Sequence, residues 1–311
     1  MHWRYKAFIQ NQIARLPPRS SRACYYALQK ASGSFSAPKV NLFIQAALAF
    51  RGHIERQGGI VRGATFLEVG TGRRLTLPVI LWLMGAERIT TVDLYRYVRL
   101  PIIAVDLRAL IAELDTFAAC REYGLLPDRV LALKGSAFDL PAILKLCAIN
   151  YVAPADAARL NLPDACVDYH ISFTVLEHIP GPILRDILLE AARVVRPSGL
   201  TIHFVDHSDH FSHSDTSISA INFLQYEDIE WTRLVDNPYM YMNRLRADDY
   251  PALYVSAQHE IRLVESTQDR SLLIQLSSPS FRLASRFRQK SSESLATTTS
   301  WIVSRPRFSI S

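Results

Sequence analysis

Short apolar runs alternate with longer amphipathic stretches through the middle of the chain. Residues 64–69, 88–93, 167–172 and 200–205 are short runs rich in apolar or β-branched residues, which is typical of buried parallel strands. Residues 75–84 and 183–195 lie between such runs and have the apolar spacing of helices. Strands that alternate with helices predict βαβ units, so we expect an α/β fold built on a parallel sheet.

The first 60 residues have helical patterns, with breaks at Pro17-Pro18 and at Ser32-Gly33-Ser34. We expect them to form a helical cap, which ends in a helix over residues 40–55. Further along the chain, residues 105–123 predict one long helix that stops at Gly124, and residues 130–133 have the composition of a strand. Two strand-like runs, residues 259–264 and 301–303, lie near the C-terminal end.

A glycine turn, Glu68-Val69-Gly70-Thr71-Gly72, follows the first predicted strand. Glycines let the backbone approach a ligand closely, and the helix that follows offers unpaired N–H groups. Asp93 ends the second predicted strand, 21 residues after Gly72. A carboxylate at this strand tip can accept two hydrogen bonds from a ribose diol. Together these features predict a site for an adenosine-type ligand at the carboxyl edge of the sheet.

Two observations distinguish between adenosine-type ligands. A dinucleotide turn needs a third glycine at position 75, where this chain has Leu75. Glu68 would repel a pyrophosphate but attract an ammonium group. S-adenosylmethionine has a ribose, an adenine and an ammonium group without phosphate, so it is the expected cofactor. A nicotinamide-dependent oxidoreductase is the alternative enzyme, and a non-catalytic protein that binds S-adenosylmethionine is the alternative without catalysis.

Residues 60–206 resemble the class I S-adenosylmethionine-dependent methyltransferases, and in particular their type-11-like branch. The resemblance depends on the glycine turn, Asp93, residues 162–179 and residues 193–199, which occur in the family's order. It implies a Rossmann-like sheet of seven strands, mostly parallel, that is completed by a C-terminal antiparallel hairpin. The cofactor-binding residues that it implies are Glu68, Gly70, Thr71, Gly72, Asp93 and Phe173. Many family members have a third glycine where this chain has Arg73-Arg74, so we expect a side chain to contact the methionine tail.

The resemblance leaves two positions for the acid that contacts the adenine. Ser136 follows the strand-like residues 130–133 but has no carboxylate. Asp156, with Ala157 beside it, lies six residues before Leu162, which is the spacing that the family usually shows. We prefer Asp156, and this choice makes residues 94–148 a helical insertion between the second and third strands.

A histidine is the expected general base, because methyl transfer to a hydroxyl needs a group that removes a proton near neutral pH. His178 follows the fourth predicted strand, and its structural alternative is to cap the next helix or to form a hydrogen bond with the backbone. His207 and His210 lie in residues 206–215, just after the fifth strand, where ligands of an open parallel sheet bind. These ten residues include three histidines and three aspartates, which could ligate a divalent ion. Their spacing matches no defined zinc pattern, so we expect no metal.

Composition narrows the possible partners. The 311 residues are 49% hydrophobic and 21% charged, which excludes a disordered or fibrous chain. The apolar runs are shorter than the ~20 residues of a membrane helix, so we expect a cytoplasmic protein without membrane insertion. The net charge is +6, with 29 arginines and six lysines, but the arginines are spread along the chain. This distribution predicts no nucleic-acid partner.

These observations predict methyl transfer to an oxygen of a small-molecule or glycan acceptor. We expect a cap over residues 1–60, a cofactor-binding core over 61–206, a substrate lid over 207–256 and C-terminal strands over 257–311. Residues 222–226 and 239–246 combine aromatic, amide and arginine side chains, which can stack on a sugar ring or bind an anionic group. The sequence determines neither the acceptor nor the oligomeric state.

Overall fold

One mixed β-sheet organises the computed structural model, which describes residues 1–114 and 117–307, without the side chains of residues 117–119. Its strands are β1 (Thr65–Val69), β2 (Arg88–Val92), β3 (Ile149–Val152), β4 (Val167–Phe173), β5 (Val195–Asp206), β6 (His259–Gln268) and β7 (Thr297–Pro306). Their order in the sheet is β3-β2-β1-β4-β5-β7-β6. β1 to β5 pair in parallel, whereas β7 pairs antiparallel with both β5 and β6. The predicted Rossmann-like α/β fold is confirmed.

The strand order reverses between β1 and β4. β2 follows β1 on one side of it, whereas β4 pairs with its other side. Connections that leave β1 and β4 therefore turn to opposite faces of the sheet, and a crevice opens at the carboxyl ends of the two strands. Glu68 of β1 lies beside this opening, in register with Thr91 of β2 and Ile171 of β4.

Helices cover both faces of the sheet. They are α1 (Trp3–Ala14), α2 (Pro18–Ala31), α3 (Val40–Arg56), α4 (Thr76–Leu83), α5 (Leu100–Glu113), α6 (Phe117–Glu122), α7 (Pro127–Lys134), α8 (Leu140–Leu146), α9 (Gly181–Val194), α10 (Asp228–Leu234), α11 (Asp249–Ser256), α12 (Arg270–Leu276) and α13 (Ser292–Ala296). Successive residues of a strand point to opposite faces. Phe66 accordingly packs in the core formed with α3, α4 and α5, whereas Leu67 packs with residues of α9. In the described part of the chain, no helix has the length and apolar character needed to cross a membrane.

The single helix predicted over residues 105–123 is wrong. α5 begins earlier, at Leu100, with Pro101 in its first turn, and it ends at Glu113. Proline fits the first helical turn because it has no N–H to satisfy there, and this favours the earlier start. α6 then covers residues 117–122, while residues 115 and 116 lie outside the described residues.

The strand expected over residues 130–133 is also wrong, because these residues lie inside α7. Pro127 in the first turn and Asp128 beside it favour a helix start more strongly than the β-branched Val130 favours a strand. Ser136 therefore follows a helix instead of a strand, and its hydroxyl donates a hydrogen bond to the carbonyl of Leu133 (2.8 Å).

A second apolar cluster joins the N-terminal helix to later parts of the chain. The ring of Trp3 in α1 lies 5.4 Å from that of Phe211 and 5.9 Å from that of Trp231, between centroids. The backbone N–H of Trp3 donates to Oδ2 of Asp215 (2.7 Å). Phe287 belongs to the same cluster. α1 is thus held against residues 207–256 and the C-terminal region.

Arg246 is fully buried and connects the segment after β5 to the last strand. Its guanidinium donates to the carbonyl of His207 (2.5 Å), to that of Leu295 (2.8 Å) and to that of Thr297 (2.6 Å). Buried guanidinium groups are stable only where such acceptors satisfy them. The segment that we expected to form a lid is therefore fixed to the sheet at this point.

Asp106 of α5 is a buried anchor for the turn after β1. Its carboxylate accepts hydrogen bonds from Arg74, from the hydroxyl of Thr76 (2.5 Å) and from the backbone N–H of Lys39 (3.2 Å). The side chains of Arg74 and Asp106 are 10% and 1% exposed. One carboxylate thereby holds together the start of α3, the start of α4 and the middle of α5.

Asp106→Ala should destabilise the protein by about 3–5 kcal/mol, because it leaves the Arg74 charge buried without its partner. Urea unfolding followed by circular dichroism measures the loss. Glu113→Ala, at an exposed position of the same helix, is the matched control and should change the free energy of unfolding by less than about 0.5 kcal/mol. If the two variants were equally stable, Asp106 would not be an anchor.

Candidate functional site

A cavity of about 880 Å³ lies at the carboxyl ends of β1, β2 and β4. Its wall includes Glu68, Asp93, Asp156, Phe173 and His178, together with the glycine turn. The fold therefore brings the residues predicted to bind a cofactor next to one predicted base. The predicted crevice is present, and side chains do not fill it.

The glycine turn forms part of the wall in a conformation that requires glycine. Gly70 has a φ of +90°, and a Cβ atom on it would lie 2.4 Å from Cγ2 of Val175. No other residue fits there without displacing Val175. Gly72 has a φ of +61°, and its N–H donates to Oδ2 of Asp93 (2.9 Å). This hydrogen bond holds the turn against the tip of β2.

Glu68 is 6% exposed and lies next to the last residue of β1. The hydroxyl of Thr91 donates to its Oε2 (2.5 Å), and the hydroxyl of Thr71 lies 2.6 Å from that of Thr91. Burial, with a smaller contribution from the nearby Asp93, raises the pKa of Glu68 to about 7 against the opposing effect of the Thr91 hydrogen bond. Among residues 1–114 and 117–307, no cationic side chain lies within 4 Å of this carboxylate. A cationic group of a ligand would give this carboxyl the partner that the described side chains do not.

Asp93 follows the last residue of β2 and faces the same cavity. Its two carboxylate oxygens accept hydrogen bonds from the backbone N–H groups of Gly72 (2.9 Å) and Tyr95 (3.2 Å). Burial raises the pKa of Asp93, and these hydrogen bonds oppose the increase. Each carboxylate oxygen can accept another hydrogen bond, so Asp93 is able to bind a diol.

The geometry favours Asp156 over Ser136 as the acid near an adenine. Asp156 and Ala157 line the cavity, and Ala155 just before them donates its N–H to the carbonyl of Asp93 (2.9 Å). Ser136 is not part of the cavity wall, since it lies at the end of α7. Contact between Asp156 and a ligand stays a prediction.

His178 ends a short 3₁₀ helix, residues 176–178, that follows β4. Its Nδ1 lies 2.7 Å from the carbonyl oxygen of Tyr241. A carbonyl only accepts hydrogen bonds, so Nδ1 carries the proton and Nε2 carries a lone pair. The residue as a whole is exposed, but the protein atoms packed around its ring desolvate the imidazole, and together with the neighbouring His210 they hold the pKa of His178 below its ordinary value. The ring is therefore neutral at pH 7 and able to accept a proton.

Phe173, also in the cavity wall, stacks on Phe204 of β5 with ring centroids 5.0 Å apart.

His210 and His207, the other two predicted bases, lie in different surroundings. The rings of His210 and His178 lie 4.7 Å apart, and Nε2 of His210 lies 3.4 Å from Oδ2 of Asp206. His207 is buried away from the cavity, with Nε2 3.0 Å from the hydroxyl of Ser300 in β7. Burial, together with the charge of Arg246, lowers the pKa of His207 to about 3. His210 therefore joins His178, whereas His207 packs against the antiparallel strands.

Glu177, His178 and His210 form a compact group of ligand atoms, all within 4.8 Å of one another. Both carboxylate oxygens of Glu177 are buried without a hydrogen-bond partner, and burial raises the pKa of Glu177 well above its ordinary value. Carboxylate and imidazole groups are zinc ligands as well as proton carriers. The group can thus hold a proton or a divalent ion. Spacing in the sequence could not identify it, because Glu177 and His210 belong to separate segments.

Helices α2 and α3 contribute wall residues that the sequence did not identify. Gln29 of α2, Phe43 of α3 and Lys39 just before α3 line the cavity. Arg73 donates to the side-chain carbonyl of Gln29 (3.0 Å), which connects the turn after β1 to α2. The sequence of these helices shows only the apolar spacing of a packing surface, so no local signal marks the three residues.

Residues 128–203 match a family model described as "Methyltransferase domain". The match covers about a quarter of the chain, from α7 to within β5, and it includes His178 but not the glycine turn. The expected resemblance to methyltransferases is confirmed by this match. A comparison with curated proteins finds no match.

Several solved structures align with most of the chain at low identity. The [4+2]-cyclase SpnF is 14% identical with a TM-score of 0.46, over 85% of this chain and 82% of that chain. Magnesium protoporphyrin IX methyltransferase (ChlM) from Synechocystis PCC 6803, with bound SAH, is 10% identical with a TM-score of 0.45, over 86% and 85%. The PH0226 protein from Pyrococcus horikoshii OT3 is 13% identical with a TM-score of 0.44, over 83% and 91%. We draw no conclusion about activity from these similarities.

Glu68 makes the ligand-free protein less stable as the pH rises. The carboxyl has a pKa of about 7 in the folded protein, against an ordinary value of 4.5. Between these values the folded state keeps a proton that the unfolded chain releases, so the free energy of unfolding falls with increasing pH. The full loss, on the order of 3 kcal/mol, is reached above the folded-state pKa.

Glu68→Gln should remove this loss and stabilise the ligand-free protein at about pH 8 by on the order of 2–3 kcal/mol. The gain should be small at about pH 5, where the wild-type carboxyl is protonated in the folded state. Urea unfolding at both pH values measures it. Glu87→Gln, at an exposed position just before β2, is the matched control. A pH dependence that is the same in wild type and Glu68→Gln would contradict the assignment.

Proposed function

Because this chain contains a methyltransferase domain, we propose that it transfers a methyl group from S-adenosylmethionine to an oxygen of a small-molecule or glycan acceptor. The observation that carries the proposal is the convergence of Glu68 and Asp93 on one cavity that His178 also lines. A neutral imidazole in the wall favours an acceptor hydroxyl, whose proton must be removed during transfer.

The residues of the cavity fit S-adenosylmethionine. Glu68 supplies a buried carboxyl group, which an ammonium group would hold in its ionised form, and Asp93 has free lone pairs for the ribose hydroxyls. Gly70, whose missing Cβ leaves room for Val175, keeps the turn in the cavity wall, and Asp156 lines the same cavity, where we expect it to accept from the adenine amino group. When bound, S-adenosylmethionine supplies a methyl group activated by its sulfonium. The volume of about 880 Å³ leaves space for part of an acceptor as well.

His178 is the base in this proposal. The Tyr241 carbonyl fixes the ring and its tautomer, so Nε2 is the atom that takes the proton of the acceptor hydroxyl as the new bond to carbon forms. Asp206, with a pKa lowered to about 2 despite its burial, stays ionised and stabilises the positive charge that develops on the two histidines. His210 lies between this carboxylate and His178.

The nicotinamide alternative receives no support. The family match is to a methyltransferase domain, and the side chain of Leu75 is fully buried where a dinucleotide turn needs glycine. A non-catalytic role is tested by the experiments below, since only an enzyme would lose turnover when His178 is changed.

Asp93→Ala should abolish the binding of S-adenosylmethionine, because it removes the acceptor for the ribose hydroxyls. Differential scanning fluorimetry should show a rise in the melting temperature of the wild type with S-adenosylmethionine and none with NAD. Asp128→Ala, at an exposed position of α7, is the matched control and should keep the rise. An undiminished rise in Asp93→Ala would contradict the site, and a rise with NAD alone would favour an oxidoreductase.

His178→Asn should lower kcat by about 10²- to 10⁴-fold, with the affinity for S-adenosylmethionine unchanged. Asparagine retains an N–H for the Tyr241 carbonyl but has no base. Transfer of a labelled methyl group to acceptors in a cell extract measures the rate, and His2→Asn, at an exposed position, is the control.

The same assay separates proton transfer from metal chemistry. Activity that EDTA removes and a divalent ion restores would assign Glu177, His178 and His210 to a metal site and contradict the role of His178 as a base. Activity that survives EDTA and falls in His178→Asn supports that role.

A further inference from the structure

A second cavity of about 930 Å³ lies beside the first, between α2 and residues 93–99. The two cavities share Gln29, Gly72, Arg73 and Tyr97 in their walls. A ligand in the second cavity would therefore lie next to the cofactor. None of the residues that line only the second cavity has a role in the proposed function.

Five arginines line the second cavity: Arg19, Arg22, Arg73, Arg96 and Arg99. They come from three separate segments, which is why the sequence shows no dense basic run. No acidic residue belongs to the wall. Among residues 1–114 and 117–307, no carboxylate lies within 4 Å of these five guanidinium groups, although eight other arginines of the described chain have such partners.

Aromatic rings and backbone carbonyls hold these arginines instead. The guanidinium of Arg22 lies 4.9 Å from the ring centre of Tyr95, and that of Arg99 lies 5.4 Å from the ring centre of Tyr26. Nε of Arg96 donates to the carbonyl of Ala153 (2.8 Å). Such contacts orient the side chains without neutralising their charge. Arg19, Arg96 and Arg99 are exposed to solvent, and the five charges gather on one wall with no carboxylate within 4 Å among the described residues, so the arrangement is suited to an anion.

We propose that the second cavity binds a phosphate or diphosphate group of the methyl acceptor. This inference rests on the proposed function for the identity of the ligand as an acceptor. Planar guanidinium groups bind phosphate oxygens through paired hydrogen bonds, and five of them match more than one negative charge. Arg73 lines both cavities and interacts electrostatically with Asp93, so it marks the passage between the anion and the cofactor.

Tyrosines indicate that the anionic group is attached to a ring. Tyr25 and Tyr239 stack with ring centroids 3.9 Å apart in the wall of the second cavity. Tyrosine faces and hydroxyls suit a sugar or another polar ring next to the phosphate. The arginines line a cavity and do not form the extended basic stripe of a nucleic-acid surface, so we favour a small phosphorylated molecule over RNA or DNA.

The binding test uses inorganic pyrophosphate as the probe, in calorimetric titrations at constant ionic strength. The double variant R22Q/R96Q, which removes two charges that line only the second cavity, should bind pyrophosphate at least about 10-fold more weakly than wild type. R22K/R96K, which keeps the charges, should retain most of the binding. Arg270→Ala, at an exposed position of α12, is the control for general loss of charge. Equal affinity in wild type and R22Q/R96Q, or tighter binding of citrate than of pyrophosphate, would overturn the proposal.

The acceptor test uses a cell extract treated before the methyl-transfer assay. Treatment with a phosphatase and a phosphodiesterase should remove the acceptor, whereas treatment with ribonuclease and deoxyribonuclease should leave it. An acceptor that resists the first treatment, or is lost in the second, would overturn the assignment of a small phosphorylated molecule.

The outcomes for the second cavity can be distinguished from the outcomes for the proposed function. R22Q/R96Q should show the wild-type rise in melting temperature with S-adenosylmethionine, because neither arginine lines the first cavity. Loss of pyrophosphate binding with normal cofactor binding therefore supports the second cavity alone. Pyrophosphate binding that persists in a protein without affinity for S-adenosylmethionine would refute the cofactor and leave the anion site intact.

Discussion

A buried carboxylate without a cationic partner among the described side chains is the constraint on which the site depends. Glu68 lies in the central strand of the parallel region, and among the described residues the hydroxyl of Thr91 is the hydrogen-bond donor to its carboxyl group. Such a group is tolerated because it can keep a proton up to about pH 7, its pKa in the folded protein. The energy lost by folding around Glu68 becomes available again when a cation reaches it. The ionised Glu68 carboxylate therefore lowers the stability of the ligand-free protein and favours the binding of a cation.

The fold could be predicted from the sequence wherever the signal was local. The runs that became β1, β2, β4 and β5 are short, apolar and separated by helices, and the carboxyl ends of parallel strands must meet at one edge. For that reason the sequence alone predicts that Glu68 and Asp93 lie close together. The wrong predictions also have local causes. Apolar residues such as Val130 occur in buried helices as well as in strands, and Pro127 before them favours the start of a helix.

The rest of the site depends on contacts between distant segments, which no local pattern records. His207 and His210 are equivalent in the sequence, yet one packs against β7 and the other against His178. The difference follows from the direction in which the chain leaves β5. In the same way, arginines that are scattered along the chain converge only because α2 lies over the loop after β2. The residues proposed to bind the cofactor could be predicted from a motif, whereas those proposed to surround the acceptor required the fold.

The N-terminal helices have a consequence for how related proteins can diverge. Trp3 holds α1 against the apolar cluster that includes Phe287. The next helix, α2, forms part of the wall of both cavities. The two helices stand outside the sheet, and α2 contributes Gln29 to the wall of both cavities. Under the proposed function, changes in α2 would alter the walls that face the acceptor and the cofactor, whereas the strands of the sheet would keep Glu68 and Asp93 in place.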